Sequence, residues 1–395
     1  MPDNLSEVPL PGERRHQPEL DGIRGIAILL VMGSHAAGVL GVLPESKLGI
    51  LLQNLLAPGW GGVDLFFVLS GFLITGILLR AKTSVHYFQS FYARRVLRIF
   101  PIYYLALIGT LVVQHFFPGI KQFVPQRGME RLSYFIYLQN IPGFWQGMRM
   151  MTGVWGGYWS LAVEEQFYTV WPLMVRLLSG RAMMIVCMAG FLLGLPVRLL
   201  LMQWYFGVQV GAIQFTLCRA DGLFMGASIA LYMHLWKRNV PMLWIQIAGA
   251  CGAAIIAYVA VFFPDDLTSD GHLYTVGITA FALLGGALVA WSQHHPRWLQ
   301  RALSWNVLRQ AGKYSYGMYV YHLFLFIGIR VVVVHYFPDT DGELHTLPAL
   351  GVMAVATLAS WLIAKLSYDL FEVRFLALKR FFPESEPLEK STIRG

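Results

Sequence analysis

The chain has 395 residues, of which 56% are hydrophobic and only 13% carry charge. Soluble domains need about 25% charged residues to keep their surface in water. A chain with half that share and a mean hydropathy of +0.55 is an integral membrane protein, not a soluble, collagenous, coiled-coil or disordered one. Its 30 basic and 22 acidic residues leave a net charge of +8, which suits basic cytoplasmic loops better than nucleic-acid binding.

Residues 1–20 are polar and the first apolar run is long enough to span, so no cleavable signal peptide is expected. Taken in chain order, apolar runs of roughly 20 residues, the length that crosses a ~30 Å hydrocarbon core, predict helices. They fall near 23–43, 59–79, 99–117, 156–178, 182–204, 219–236, 242–263, 273–292, 314–337 and 346–371. A shorter stretch, 132–145, is broken by Asn140, Pro142 and Gly143 and reads either as an eleventh crossing or as a segment that dips in and returns. The expected fold is therefore all-α, a polytopic transmembrane bundle of about ten spans plus that short segment.

Charge bias sets the orientation. With 132–145 left non-spanning, the cytoplasmic side receives Arg14, Arg15, Arg24, Arg80, Lys82, Arg94, Arg95, Arg98, Arg176, Arg181, Lys237, Arg238 and the later basic loops. The outer side receives Asp265, Asp266, Asp270, Asp339, Asp341 and Glu343; Lys121, Arg127, Arg131 and Arg149 are the exceptions. The positive-inside tendency thus places both termini in the cytoplasm of a cell membrane. No internal repeat or long linker divides the chain. It reads as a cytoplasmic segment 1–22, a membrane domain 23–378 and a cytoplasmic tail 379–395. Cys187, Cys218 and Cys251 are too few and too scattered for a disulfide framework or metal cluster.

Ionisable residues inside apolar spans are expensive and therefore candidates for function, although each could simply hydrogen-bond a neighbouring helix. The first span opens with Arg24 and carries His35, eleven residues and about 16 Å further along the same face. The ninth starts after Lys313 with a polar stripe of Ser315, Tyr319 and His322. The fourth runs from Trp159 and Ser160 through Glu164 and Glu165 towards Arg176. His35, His322 and Glu164 thus fall at similar depth on three helices, an arrangement suited to proton transfer. At the inner face Arg94, Arg95 and Arg98 lead into the third span, with Arg80 and Lys82 just before. Such a group is either an ordinary positive-inside loop or a site for phosphate or pyrophosphate. Gly59, Gly61 and Gly62 match no phosphate loop, and His294-His295 reads as a polar turn.

These strings, in this order, resemble the acyltransferase-3 family of integral membrane O-acyltransferases. The similarity rests on Glu19–His35 with its basic residue, ten positions and His, on GGVDLFFVLSGFLIT from Gly61, and on RRVLRIFPIYY from Arg94. It extends to WSLAVEEQFY from Trp159, CRADGLFMGASIA from Cys218 and GKYSYGMYVYHLF from Gly312. The resemblance implies acyl-CoA, often acetyl-CoA, as cytoplasmic donor and no metal. As acceptor it implies the hydroxyl of a glycan, a lipid-linked saccharide or a glycosylated small molecule, with the lipid bilayer the only other partner and no nucleic acid.

On that reading Arg94, Arg95 and Arg98 hold the donor phosphates, Arg24 marks the donor's entrance, and the pantetheine arm brings the thioester to mid-membrane. His35 is the expected general base, oriented or charge-stabilised by Glu164, with His322 and Ser160 polarising the carbonyl or placing the acceptor. Asp64, Arg219 and Asp221, near the opposite ends of their helices, would contact sugar hydroxyls or bridge helix to helix. The chain ends soon after its last span, so it is expected to act without the fused hydrolase-like domain that some members carry. The rival reading is a saccharide or lipid transporter, which inverted repeats would favour.

Overall fold

A computed structural model describes residues 17–40, 47–141, 153–204, 214–264, 271–336 and 346–383. Among these the chain is helical throughout, with no β-strand. The helices are α1 (Pro18–Leu40), α2 (Lys47–Leu56), α3 (Gly62–Ala81), α4 (Tyr87–Phe116), α5 (Gly128–Phe135), α6 (Trp159–Leu177), α7 (Gly180–Trp204) and α8 (Ala220–Trp236). They continue with α9 (Met242–Phe262), α10 (Val276–Ser292), α11 (Arg297–Leu303), α12 (Asn306–Lys313), α13 (Ser315–Tyr336), α14 (Thr346–Ser367) and α15 (Val373–Ala377).

The expected count of about ten spans is not confirmed. Among the described residues seven helical runs are long and apolar enough to cross a membrane: α1, Lys47–Ala81, α4, Gly180–Leu201 of α7, α9, α13 and Thr346–Phe381. An eighth is gained if α10 and α11, bent by 113° at their junction, count as one. The expected spans at 156–178, 219–236 and 273–292 exist as α6, α8 and α10 but fall short for two reasons. Helix α6 carries Glu164, Glu165 and Arg176, while α8 and α10 have 17 residues each, about 26 Å at the α-helical rise. Their polar and short character is tolerated because neighbouring helices pack around them.

Two boundaries also shift in ways that matter. Helix α4 begins at Tyr87 rather than near residue 99, so Arg94, Arg95 and Arg98 lie two to three turns inside a helix instead of in a loop. The 132–145 stretch is no continuous helix. Helix α5 ends at Phe135, Tyr137 takes a left-handed backbone (φ 55°), and residues 142–145 lie outside the described residues.

Small residues fix how the helices meet. A Cβ on Gly71 of α3 would stand 2.0 Å from the Leu223 carbonyl oxygen, and one on Gly226 of α8 only 1.9 Å from that of Val68. Helices α3 and α8 therefore touch backbone to backbone, the close packing that small residues permit in membranes. Helix α12 meets α1 in the same way, with Gly312 against the Asp21 carbonyl. The main core lies among α1, α3, α4, α6 and α13 and includes Ile28, Met32, Phe67, Ile102, Tyr158, Ala162 and Phe326. Outward faces such as Leu192, Leu193, Val261, Val355 and Leu358 stay exposed and apolar, as lipid-facing positions require.

Candidate active site

One cavity of about 690 Å³ opens among α1, α3, α4, α6, α12 and α13, within the roughly 300–1,000 Å³ of small-molecule sites. One end is cationic. Arg24, Arg80, Arg94, Arg95, Arg98, Arg309, Lys313 and Lys379 all line it, against the carboxylates of Asp21, Glu164 and Glu165. Of these cations, Arg24, Arg80, Arg94, Arg95 and Arg98 are the five that the sequence placed at the inner face as candidates. Arg309, Lys313 and Lys379 arrive from segments some 200 to 300 residues away, and only the folded chain reveals them. Arg24 is tied to Asp21 by a 2.6 Å ion pair one turn earlier on α1. Arg95 sits over the rings of Phe91 and Tyr168, at 5.8 and 5.4 Å, within electrostatic reach of Glu164 and Glu165. Arg94 donates to the Phe382 carbonyl at 2.9 Å.

Midway along the wall Glu164 accepts hydrogen bonds from Ser70 and Tyr168, whose hydroxyls also bond each other. One oxygen of the adjacent Glu165 has no hydrogen-bond partner among the described residues. The far end is closed by two buried hydroxyls, Ser160 and Tyr319, 2.5 Å apart. Tyr319 also donates to the Gly157 carbonyl at 2.6 Å.

His35 and His322 lie just behind this end. The His35 Nδ1 stands 2.7 Å from the His322 Nε2, and the His322 Nδ1 stands 2.7 Å from the Tyr319 carbonyl oxygen. The rings are parallel within 2° and their centroids are 5.0 Å apart. That separation is what an in-plane N–H···N bond of this length requires, so the rings meet edge to edge rather than face to face. The protons follow from the acceptors. A carbonyl only accepts, so His322 Nδ1 carries a hydrogen. A neutral His322 then accepts at Nε2, and His35 donates from Nδ1. The His35 Nε2 is left with its lone pair and has no hydrogen-bond partner among the described residues. His322 is fully buried while His35 is partly exposed. This arrangement fixes the tautomer of His35, leaves the Nε2 lone pair able to take a proton, and lets His322 accept from the ring that results.

The expected partner of His35 was Glu164, whereas the hydrogen bond described for His35 is to His322. Ser160, not Glu164, is level with Tyr319 and His322. Glu164 is four residues further along α6, about 6 Å nearer the cationic end. It belongs to the cavity wall, and His322 is the ring that orients His35.

Asp64, Arg219 and Asp221 do not line the cavity. Arg219 donates to both oxygens of Asp64 at 3.0 Å, with the rings of Trp60 and Trp159 on either side at 5.3 and 4.9 Å. Asp221 is ion-paired at 3.0 Å with Arg198, and both side chains are fully buried. Thr279 hydrogen-bonds the same Asp221 oxygen, and Arg198 also donates to the Cys218 carbonyl. These pairs join α3, α7, α8 and α10, the helix-bridging alternative for all three residues. Arg198 was missed because a single arginine in an apolar run gives no hint of its partner. No group of three or more His, Cys, Asp or Glu among the described residues could hold a metal ion.

The family model described as an acyltransferase domain matches residues 17–365. The peptidoglycan O-acetyltransferase OatA of Listeria monocytogenes is 26% identical over 383 residues, covering 91% of this chain and 56% of the relative. YrhL of Bacillus subtilis, which carries a provisional peptidoglycan O-acetyltransferase name, is 26% identical over 374 residues, with 91% and 54% covered. A provisionally named O-acetyltransferase of Staphylococcus aureus, SAS0844, is 27% identical over 385 residues, with 91% and 57% covered. The chain spans a little over half the length of these relatives, and no solved structure matches it. With a match across residues 17–365 of 395, the chain belongs to the acyltransferase-3 family of membrane acyltransferases.

Proposed function

We propose that the chain is a membrane O-acetyltransferase that takes an acetyl group from acetyl-CoA and places it on a hydroxyl of a cell-envelope glycan. The observation that carries this reading is the cavity, cationic at one end and closed at the other by the Ser160–Tyr319 hydroxyl pair, directly in front of the linked imidazoles. A coenzyme thioester has that polarity: phosphates at one end, a long amide arm, and a neutral reacting carbonyl at the other.

The arginines of α4, with Arg24, would bind the phosphates by charge-assisted hydrogen bonds. This end faces the cytoplasm, where both termini lie, and the arm runs inward along Glu164 and Glu165. The acceptor approaches from the opposite side, where His35 is partly exposed. His35 Nε2 takes the proton of the attacking hydroxyl as the new C–O bond forms. The Ser160 hydroxyl, turning from Tyr319, donates to the oxygen of the tetrahedral carbon, while Tyr319, which donates to the Gly157 carbonyl, holds Ser160 in place. The C–S bond then breaks, and the coenzyme thiolate takes back the proton from His35. Atoms and charge balance without a metal or an oxidant. The names of the relatives support peptidoglycan or a similar wall glycan as the acceptor class.

The test is release of free thiol from acetyl-CoA by the purified protein in lipid nanodiscs, with and without wall glycan fragments, and mass spectrometry of the fragments. Glycan-dependent thiol release, an acetyl increment on the glycan, and loss of both in His35→Ala are expected. Glycan movement across a bilayer without thiol release would replace this reading with the transporter.

A further inference from the structure

One cation of the cavity comes from a segment outside the family match. Lys379 lies in the short helical turn Leu378–Phe381 that follows α15, whereas the match ends at residue 365, or 379 − 365 = 14 residues earlier. The run Thr346–Phe381 has 36 residues, about 54 Å if fully helical, which exceeds the ~30 Å core. Its last turns therefore project past the hydrocarbon, and they pack against α4.

Arg94 fastens them there. Its Nη1 donates to the Phe382 carbonyl at 2.9 Å and approaches that of Lys379 at 3.5 Å. The Lys379 carbonyl already accepts from the Phe382 N–H, but that of Phe382 lies past the turn, where backbone acceptors lack intrahelical donors, and the guanidinium satisfies it while complementing the dipole. The result is costly by itself, because it holds the Lys379 ammonium within electrostatic reach of Arg94, Arg95 and Arg98. Among the described residues no carboxylate acts on Lys379 itself: Glu372 acts on Arg98, Glu164 and Glu165 act on Arg95, and Asp21 bonds Arg24. A lysine fixed among three arginines at the mouth of a cavity is relieved by an anion between them.

We propose that the Leu378–Phe381 turn is a strap of the donor site: Lys379 binds a phosphate of the acyl-CoA, and Arg94 positions the strap. This rests on the donor assignment made above. It also changes the role of Arg94, from phosphate ligand to clamp.

The experiment measures acetyl-CoA-dependent thiol release and equilibrium binding of labelled acetyl-CoA by the full chain in nanodiscs. Variants are Lys379→Met, Lys379→Arg, Arg94→Ala and Arg95→Ala. Lys379→Met is expected to raise the KM for acetyl-CoA about tenfold, the scale of one lost charge-assisted contact, with kcat within about twofold. Lys379→Arg restores most of the affinity, and Arg94→Ala behaves like Lys379→Met. With S-acetyl-pantetheine, which lacks the phosphates, Lys379→Met and the parent turn over alike, an equality that a merely structural defect would break. If Lys379→Met binds acetyl-CoA normally while Arg95→Ala binds it weakly, the strap is refuted and the donor assignment stands. If the parent itself fails to bind acetyl-CoA, the donor assignment falls and the strap with it.

Discussion

Replacing His322 by Ala tests whether the two imidazoles act as one unit. Before reaction the His35–His322 bond joins neutral rings and is worth about 0.5–1.5 kcal/mol; once His35 holds the acceptor's proton the bond is charge-assisted, about 1.5–3 kcal/mol. Only the difference, about 1–1.5 kcal/mol, accelerates the reaction, and it corresponds to roughly a tenfold loss of kcat. Freed from its acceptor, His35 can also move its hydrogen from Nδ1 to Nε2, which idles a fraction of the protein. His35→Ala removes the base and should cost about 10²–10⁴ in kcat. The decisive variant is the double, His35→Ala with His322→Ala. Because His322 works through His35, the double should be no slower than His35→Ala alone. Saturating thiol-release assays on the four proteins give the coupling energy directly. If the tenfold loss from His322→Ala persists in the His35→Ala background, the two losses are independent and the relay is wrong.

Arg95→Ala and Arg98→Ala should each raise the KM for acetyl-CoA several-fold while lowering saturated turnover less, as expected for groups that bind the donor equally in ground and transition states; an unchanged KM would return them to a topological role. Asp64→Ala leaves the Arg219 guanidinium buried without its carboxylate and should cost about 3–5 kcal/mol of stability, read as a lower thermal midpoint in detergent. Adding Arg219→Met should recover much of that loss, and a failure to recover would mean that Asp64 has a duty beyond the pair. Gly226→Ala drives a methyl to 1.9 Å from the Val68 carbonyl, so α3 and α8 must separate. A loss of about 1–3 kcal/mol or more should appear in the same melt, and an unchanged midpoint would refute the close contact.

Much of the bundle is legible in the sequence because hydrocarbon imposes length and apolarity on whatever crosses it. Helix α9, with no charged residue between Met242 and Phe262, falls almost where the pattern puts it. Helices α6, α8 and α10 were given equal standing with it, although they do not meet the same requirement. Their polar or short segments are buried by other helices instead of by lipid, and a hydropathy profile does not distinguish the two surroundings. The start of α4 was misplaced for a related reason. Arg94, Arg95 and Arg98 look like the edge of a span, whereas the helix already covers two turns before them because a cavity receives their side chains.

The same logic separates the candidate residues that the sequence singles out from those that it does not. Arg24, His35, Ser160, Glu164 and His322 stand out because each is a polar exception in an apolar run, and the fold does gather them around one cavity and the layer behind it. Which of them touch is a tertiary fact. Pairing His35 with Glu164 or with His322 turns on a single helical turn of α6, finer than span boundaries allow. Lys379 lies beyond any matched motif, and nothing in its neighbourhood marks it until the chain end folds onto α4.

Buried charge is used in two different ways in this bundle, and the difference is visible in the partners. Asp64 with Arg219 and Asp221 with Arg198 are matched one to one, at 3.0 Å, on helices already in contact. Each charge is neutralised by the fold itself, and the pair fixes helix register. At the cavity eight cations face three carboxylates, so the fold alone leaves a surplus of positive charge. A structure selected only for stability would not assemble such a surplus, because like charges at short range in a low-dielectric setting repel. An anion in the cavity would compensate that surplus, and the neutral Ser160–Tyr319 end is where the uncharged end of the proposed donor would lie. The linked imidazoles behind that wall follow the same economy. They bring proton-transfer capacity to the membrane interior without adding a fixed charge, since each neutral ring is satisfied by the next acceptor along the chain of hydrogen bonds.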